Sequence, residues 1–231
     1  MKVNGIDIKK YNAVQLTAEV LPPSLNIDYE ILPGAALPTE FDTDMELGKV
    51  KLCIYFRGKD RNDIFRKMSE LMKQFGKSCV LDIDGYKGRF KGYAASSDYE
   101  KMSVKNRHKL NVELDGYFYD DEIVLQLSNP TKVKVERAGS RKSPMILEVT
   151  AKAALKNYAI SGINEDDIVI NELAAGKTMV IDGTEGTVLI GGENAASAVD
   201  LWSFPVLDTE EKNITFSGGA DVKIRYKPMW I

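Results

Sequence analysis

The stretch that decides the fold is the C-terminal fifth of the chain, which contains Val180-Ile181-Asp182-Gly183, Val188-Leu189-Ile190-Gly191-Gly192-Glu193-Asn194, Phe204-Pro205-Val206-Leu207, Asn213-Ile214-Thr215-Phe216 and Val222-Lys223-Ile224-Arg225-Tyr226. Apolar and polar residues alternate within each run, and glycine, asparagine or proline separates the runs, as in short antiparallel strands. Similar runs occur upstream at Ile123–Leu127, Thr131–Glu136, Met145–Thr150, Tyr158–Ile160 and Asp167–Ile170. Residues 129–231 are therefore predicted to form an all-β sandwich or jelly roll.

Residues 1–128 have a different pattern, with strands around a single helix. The helix is predicted over about residues 60–75, because Ile64, Met68, Leu71 and Phe75 recur at helical spacing. Asp60 suits its N-cap, and Gly76 suits a left-handed C-cap. Lys49–Arg57 and Arg107–Tyr119 alternate like strands, which makes this part an α+β module. The domain boundary is predicted at Asn129-Pro130, where proline ends a strand ladder. The whole chain is thus predicted to be mainly β.

One segment of this module is too long and too apolar for a loop that only connects two strands. Residues 33–48 run between two strand candidates and are rich in alanine, proline, threonine and acids. They also contain Leu37, Phe41, Met45 and Leu47, which we predict to form an oligomer interface on an extended arm. A loop folded back on its own domain is the alternative.

The C-terminal motifs, in this order, resemble the distal tail proteins of long-tailed bacteriophages. Four strings carry the resemblance: Met179-Val180-Ile181-Asp182, Phe204-Pro205-Val206-Leu207, Asn213-Ile214-Thr215-Phe216 and Val222-Lys223-Ile224-Arg225-Tyr226. The family has a glycine before the third string, whereas this chain has Asp208-Thr209-Glu210-Glu211-Lys212, so that turn is expected to differ from the family's. The resemblance implies an N-terminal ring-forming domain with one helix and an arm, followed by a galectin-like sandwich.

The same resemblance implies function and partners. Distal tail proteins are non-enzymatic parts of the virion, made in the bacterial host cytoplasm. Several copies, usually six, form a ring that joins the tail tube to the tip or baseplate. The expected partners are further copies of the chain, the tail tube protein, a tail-tip or tail-associated protein, and receptor-binding proteins that mediate host adhesion. A phage or prophage origin follows from the same comparison.

Composition excludes several other classes of protein. The net charge is −3 and neither half of the chain is strongly basic, which argues against sequence-specific nucleic-acid binding. No apolar stretch is long enough to cross a bilayer, and the N-terminus does not resemble a signal peptide. His108 is the only histidine and is expected to be solvated at a strand end, while Cys53 and Cys79 are expected to be reduced thiols packed in strands. We therefore predict no catalytic residues, no metal ligands and no cofactor.

A carbohydrate-binding module for cell-wall polysaccharide is the alternative function. Galectin-like sandwiches use aromatic platforms and polar side chains to bind sugars, and Trp202, Trp230, Tyr158 and Asn194 could form such a sugar or partner contact. The sugar site of galectins themselves contains a histidine, however, and this domain has none. The two tryptophans are equally consistent with interface anchors.

Overall fold

The structure is a computed structural model that describes residues 1–34, 36–136 and 139–230, with the backbone alone for residues 27 and 39–44. It contains two compact units, Met1–Tyr119 and Asp120–Trp230. The predicted boundary at Asn129 lies nine residues further along the chain. The difference arises because strand Ile123–Leu127 pairs with Ala220–Tyr226 and so extends a sheet of the second unit.

The first unit is built on one antiparallel sheet. Its strands are β1 (Lys2–Val3), β2 (Ile6–Asp7), β3 (Ala13–Leu21), β4 (Leu25–Glu30), β5 (Thr39–Met45), β6 (Gly48–Arg57), β7 (Cys79–Asp82), β8 (Arg89–Lys101) and β9 (Arg107–Tyr119), with helix α1 at Arg61–Met72. The main sheet has the order β2-β1-β7-β8-β9-β6-β3, and β4 pairs only with β5 among the described strands. The predicted α+β architecture of this unit is confirmed.

Helix α1 lies on the apolar face of this sheet. The Asp60 carboxylate accepts a hydrogen bond from the Asp63 backbone N–H at 2.9 Å, which caps the helix as predicted. Ile64 and Leu71 are fully buried against the sheet core. Past the helix, Lys73–Phe75 forms a 3-10 turn, and Gly76 follows with a φ of −68°. The predicted left-handed C-cap at Gly76 is therefore wrong, because the 3-10 turn satisfies the terminal carbonyls instead.

The second unit is a sandwich of two antiparallel sheets. Its strands are β10 (Ile123–Leu127), β11 (Lys132–Val135), β12 (Ser143–Ala151), β13 (Leu155–Ser161), β14 (Ile168–Leu173), β15 (Thr178–Asp182), β16 (Thr187–Ile190), β17 (Glu193–Asn194), β18 (Val199–Asp200), β19 (Val206–Leu207), β20 (Lys212–Phe216), β21 (Ala220–Tyr226) and β22 (Met229–Trp230). One sheet has the order β10-β21-β12-β15-β16-β17, and the other has the order β11-β20-β13-β14-β18.

A single apolar core fills the space between these two sheets. Alternate residues of each strand point into it, such as Leu147 and Val149 from one sheet and Ile160 and Ile170 from the other. The predicted all-β sandwich, and with it the mainly-β fold class, is confirmed. The strands predicted from alternation at Ile123–Leu127 and Thr187–Ile190 have those bounds in the structure.

Candidate assembly surfaces

One exposed part of the first unit is a β-hairpin. Strands β4 and β5 pair in antiparallel register from Leu25 opposite Met45 to Glu30 opposite Thr39, and they form a two-stranded sheet of their own. We call Leu25–Met45 the arm. At its base the Glu46 backbone N–H donates to the Ser24 carbonyl at 3.1 Å, so the two ends of the arm lie side by side. The arm thus begins eight residues before the predicted segment 33–48, and part of that segment is a strand.

The side chains of the arm are presented to solvent. All those described between Ser24 and Pro38 are exposed, including Leu25, Tyr29, Ile31 and Leu32, and Leu37 near the tip is 76% exposed. A two-stranded hairpin alone is marginally stable in water, and such a set of exposed apolar side chains marks an interaction surface.

The four predicted interface residues lie in this hairpin and at its base. Leu37 lies between the two strands, Phe41 lies in β5, and Met45 ends β5 opposite Leu25. Met45 and Leu47 are half-buried at the base, while the Phe41 side chain lies outside the described residues. Their assignment to an interface stays a prediction, best supported for Leu37 because of its exposure.

A groove on the first unit is the second candidate surface. It has a volume of about 400 Å³ and lies between α1 and the ends of β8 and β9. Its apolar lining consists of Ile64, Phe65, Met68, Met72, Tyr99 and Leu110, and Arg61 and Lys101 add positive charge. Phe65 is 70% exposed although it belongs to a helix that packs on the sheet.

His108 also lines this groove, and the expectation that it is solvated is wrong. It is only 6% exposed, and its Nδ1 has no hydrogen-bond partner among the described residues. Burial, together with the positive charges of Arg61 and Lys101, lowers the pKa of His108 below its ordinary value. Its position two residues before buried Leu110 on β9 places it on the inner face, which strand parity could have indicated.

The two cysteines are free thiols. Cys79 is fully buried and Cys53 is half-buried, and they form no disulfide. Burial raises the pKa of Cys79 to about 11, so this thiol stays protonated at neutral pH. The described residues contain no group of three or more His, Cys, Asp or Glu side chains placed to hold a metal ion.

The structure does not bring the four proposed sugar-contact residues together. Tyr158 is 2% exposed and lies in the sandwich core, so its assignment to a surface contact is wrong. Asn194 is exposed, but its Oδ1 accepts a hydrogen bond from the Ala196 N–H at 3.0 Å and organises the following turn. The Trp230 indole N–H donates to Asp120 at 2.7 Å. Neither Trp202 nor Trp230 lines the groove beside α1 or the three other surface pockets compared with it among the described residues.

Trp202 is the exception, because it is 89% exposed in the loop between β18 and β19. The Asn164 side-chain amide donates to the Ser203 carbonyl at 2.8 Å, and the Met145 backbone N–H donates to the Pro205 carbonyl at 2.9 Å. Both bonds hold the loop against the sandwich. The tryptophan is therefore presented on an anchored loop rather than on a sheet surface.

Burial of Tyr158 leads to a stability prediction. Burial raises the pKa of this phenol to about 12, and its hydroxyl has no hydrogen-bond partner among the described residues. Tyr158→Phe removes an unsatisfied buried hydroxyl and is expected to leave the free energy of unfolding unchanged or to raise it by about 1 kcal/mol. Urea unfolding of the two proteins checks this. A loss of more than about 1 kcal/mol would show that the hydroxyl has a stabilising partner.

Comparison with known proteins identifies the second unit. Residues 138–230 match the family model for the siphovirus-type tail component, C-terminal domain. This part of the chain is similar to that family's C-terminal domain. The predicted resemblance to the distal tail proteins is confirmed, and the match supports a structural tail component. Sugar binding is not favoured. A search of curated proteins found no match.

The fold of the whole chain also matches solved structures. The crystal structure of the Dit protein of phage SPP1, described as a hub adsorption protein of phages that infect Gram-positive bacteria, superposes with a TM-score of 0.79 and 9% identity over 99% of this chain and 98% of that chain. Two structures of the phage p2 baseplate in its activated conformation, with Sr and with Ca, give TM-scores of 0.48 and 0.44 at 8% and 9% identity. They cover 95% and 90% of this chain and 92% and 90% of those chains. The SPP1 match establishes a shared fold across both units.

Proposed function

We propose that this tail component forms a closed ring, with six copies expected, which joins the tail tube to the tip or baseplate. The observation that carries the proposal is the exposed arm on a chain whose C-terminal domain is similar to that of a tail component family. The fold shared with SPP1 Dit, which is described as a hub protein, supports the same role.

The arm suits the contact that a ring requires. Ring closure uses heterologous interfaces, in which one patch on each copy meets a different patch on the next. An arm of two six- or seven-residue strands extends about 20 Å. Its exposed Leu25, Tyr29 and Leu37 side chains gain burial only against another surface. The arm therefore supplies one half of such an interface, and the remainder of the first unit can supply the other half.

The remaining assignments follow from this role. The protein is placed in the virion, at the tip or baseplate of the tail, after synthesis in the bacterial cytoplasm. Its partners are further copies of itself, the tail tube protein, and a tail-tip or tail-associated protein. The C-terminal sandwich supports receptor-binding proteins for host adhesion, and Trp202 on its anchored loop is the proposed contact. The role is architectural and needs no catalytic group. The described residues include no helix with the length and apolarity of a transmembrane segment.

Self-assembly tests the proposal directly. Light scattering over a wide range of protein concentration is expected to show a species of about six times the 25.7 kDa chain. Negative-stain electron microscopy of that species is expected to show rings with a central channel. A mass that stays at the single-chain value up to the highest concentration contradicts the proposal, and so does an open filament.

A further inference from the structure

A groove beside helix α1 has the chemistry to receive the arm. Its floor is apolar, formed by Met68, Met72 and Leu110, and the exposed rings of Phe65 and Tyr99 line it. The exposed apolar residues nearest the tip of the arm are Ile31, Leu32 and Leu37. Burying these side chains against such a lining removes apolar surface from water on both partners.

The charges of the two surfaces are opposite. The arm, Leu25–Met45, contains Asp28, Glu30, Glu40, Asp42 and Asp44, and it has no lysine or arginine. Arg61 and Lys101 line the groove, where Asp98 is the one acidic lining residue, so its net charge is positive. An acidic arm and a basic groove attract each other and fix the direction of approach.

The opposite face of the sheet offers no such complement. There Lys49 lies 3.8 Å from both Glu113 and Asp115, and Lys51 lies 4.0 Å from Glu113. These positive charges already have carboxylate neighbours within the same sheet. That face therefore gives an acidic segment less net attraction than the groove does.

We infer that the groove lined by Arg61, Phe65, Met68, Tyr99 and Lys101 is the docking site for the arm of a second copy of this chain. The inference rests on the proposed ring and specifies its interface: the tip of one arm enters the groove beside α1 of the next copy. The acidic strands of the arm then lie along Arg61 and Lys101. Each copy uses its arm once and its groove once, which is the head-to-tail contact of a ring.

The strongest competing acceptor is edge strand β3. It ends the main sheet, and Val14 and Leu16 on it are exposed. An arm could add to this edge by backbone hydrogen bonds. Strand β3 itself contains no lysine or arginine. Basic residues Lys9, Arg57, Lys59 and Lys67 line a pocket at its start, but that pocket offers fewer apolar side chains than the groove. We therefore assign the docking site of the arm to the groove. Docking of the arm on strand β3 would overturn this assignment.

Site-specific photocrosslinking separates these outcomes. A benzophenone amino acid replaces Leu37 in the full chain, and a mixture of nitrogen-15-labelled and unlabelled protein distinguishes links between copies from links within one. Mass spectrometry is expected to find mixed-isotope links to peptides containing Phe65–Met72 or Ser97–Lys101. Links between copies that map to Ala13–Leu21 or elsewhere overturn the groove assignment and leave the ring. A single-chain mass at every concentration, with no link between copies, overturns the ring as well.

Charge reversal gives an independent readout of the same inference. Arg61→Glu combined with Lys101→Glu is expected to weaken self-association at least about tenfold, because two attractions become repulsions. Reversal of the arm by Asp28→Lys and Glu30→Lys in the same chain is expected to restore association. Arg66→Glu is the matched control, since Arg66 is exposed on the same helix but does not line the groove. The groove assignment is overturned if Arg66→Glu weakens self-association as much as the double reversal does. It is also overturned if the arm reversal yields folded protein but does not restore association.

Discussion

Replacement of the arm, Leu25–Met45, by Gly-Gly is expected to give a folded chain that no longer self-associates. The replacement is sterically simple, because the Glu46 N–H already donates to the Ser24 carbonyl at 3.1 Å across the base. The described side chains between Ser24 and Pro38 are exposed, so their removal takes little apolar surface from the core. Loss of the proposed interface without loss of the fold is the expected result.

Sedimentation velocity and far-UV circular dichroism measure these two properties separately. The shortened chain is expected to sediment as one copy at concentrations where the intact chain forms the larger species. Its melting temperature is expected to stay within about 3 °C, because less than about 1 kcal/mol of stability is lost. A ring of normal size from the shortened chain would show that other surfaces close it.

A smaller change tests the apolar side chains of the arm while the arm itself stays in place. Serine at Ile31, Leu32 and Leu37 keeps the length and charge of the arm and removes its apolar tip. Tyr93→Ser is the matched control, because Tyr93 is an exposed aromatic residue on β8 that does not line the groove beside α1. Weaker association in the triple variant alone would assign the effect to the tip.

Sequence alternation predicted most of the regular strands and missed irregular ones whose side chains are largely exposed. In β9, Leu110, Val112 and Leu114 are buried in alternate positions, and its predicted bounds are those of the structure. Strand β3 was missed because it is a half-exposed edge strand with a bulge between Gln15 and Thr17. The outer half of β8 was missed for the same reason, since a bulge follows Ala94 and the side chains beyond it are exposed.

The candidate surfaces were harder to predict than the fold. Length and apolar content indicated the arm, but its described side chains form no buried stripe that a sequence pattern could reveal. The groove depends on where α1 crosses β9, and that crossing is a tertiary contact without a local signal. Tyr158 was assigned to the surface although it shares strand parity with buried Ile160. Parity along each strand is therefore a better guide to exposure than aromatic character.

A row of glycines across the first sheet leads to the largest expected effect on stability. Gly116 on β9 lies opposite Gly92 on β8 and Gly48 on β6. A Cβ atom added at Gly116 would lie 2.7 Å from the Phe90 Cζ atom and 2.7 Å from the Gly92 Cα atom, and it would overlap the Lys91 carbonyl oxygen. The Phe90 ring thus occupies the space that side chains on Gly116 and Gly92 would need. It packs edge-on against Phe118, with 5.2 Å between the two ring centroids.

Gly116→Ala is therefore expected to lower the free energy of unfolding of the first unit by about 3 kcal/mol. Strands normally favour alanine over glycine, so the expected sign is opposite to that of intrinsic propensity. Gly76→Ala is the matched control, because Gly76 has a φ of −68° and its added Cβ would lie 3.5 Å from the nearest atom outside its chain neighbours, an ordinary contact. That change is expected to be neutral or to stabilise by about 0.5 kcal/mol.

The two tryptophans allow this prediction to be assigned to one unit. Trp202 and Trp230 both belong to the second unit, so tryptophan fluorescence follows its unfolding, whereas far-UV circular dichroism follows both units. In urea, Gly116→Ala is expected to shift part of the circular dichroism transition to lower concentration and to leave the fluorescence midpoint unchanged. Equal midpoints for Gly116→Ala and Gly76→Ala would mean that the sheet accommodates a methyl group at this crossing. A coincident shift of both signals would instead mean that the two units unfold as one cooperative body.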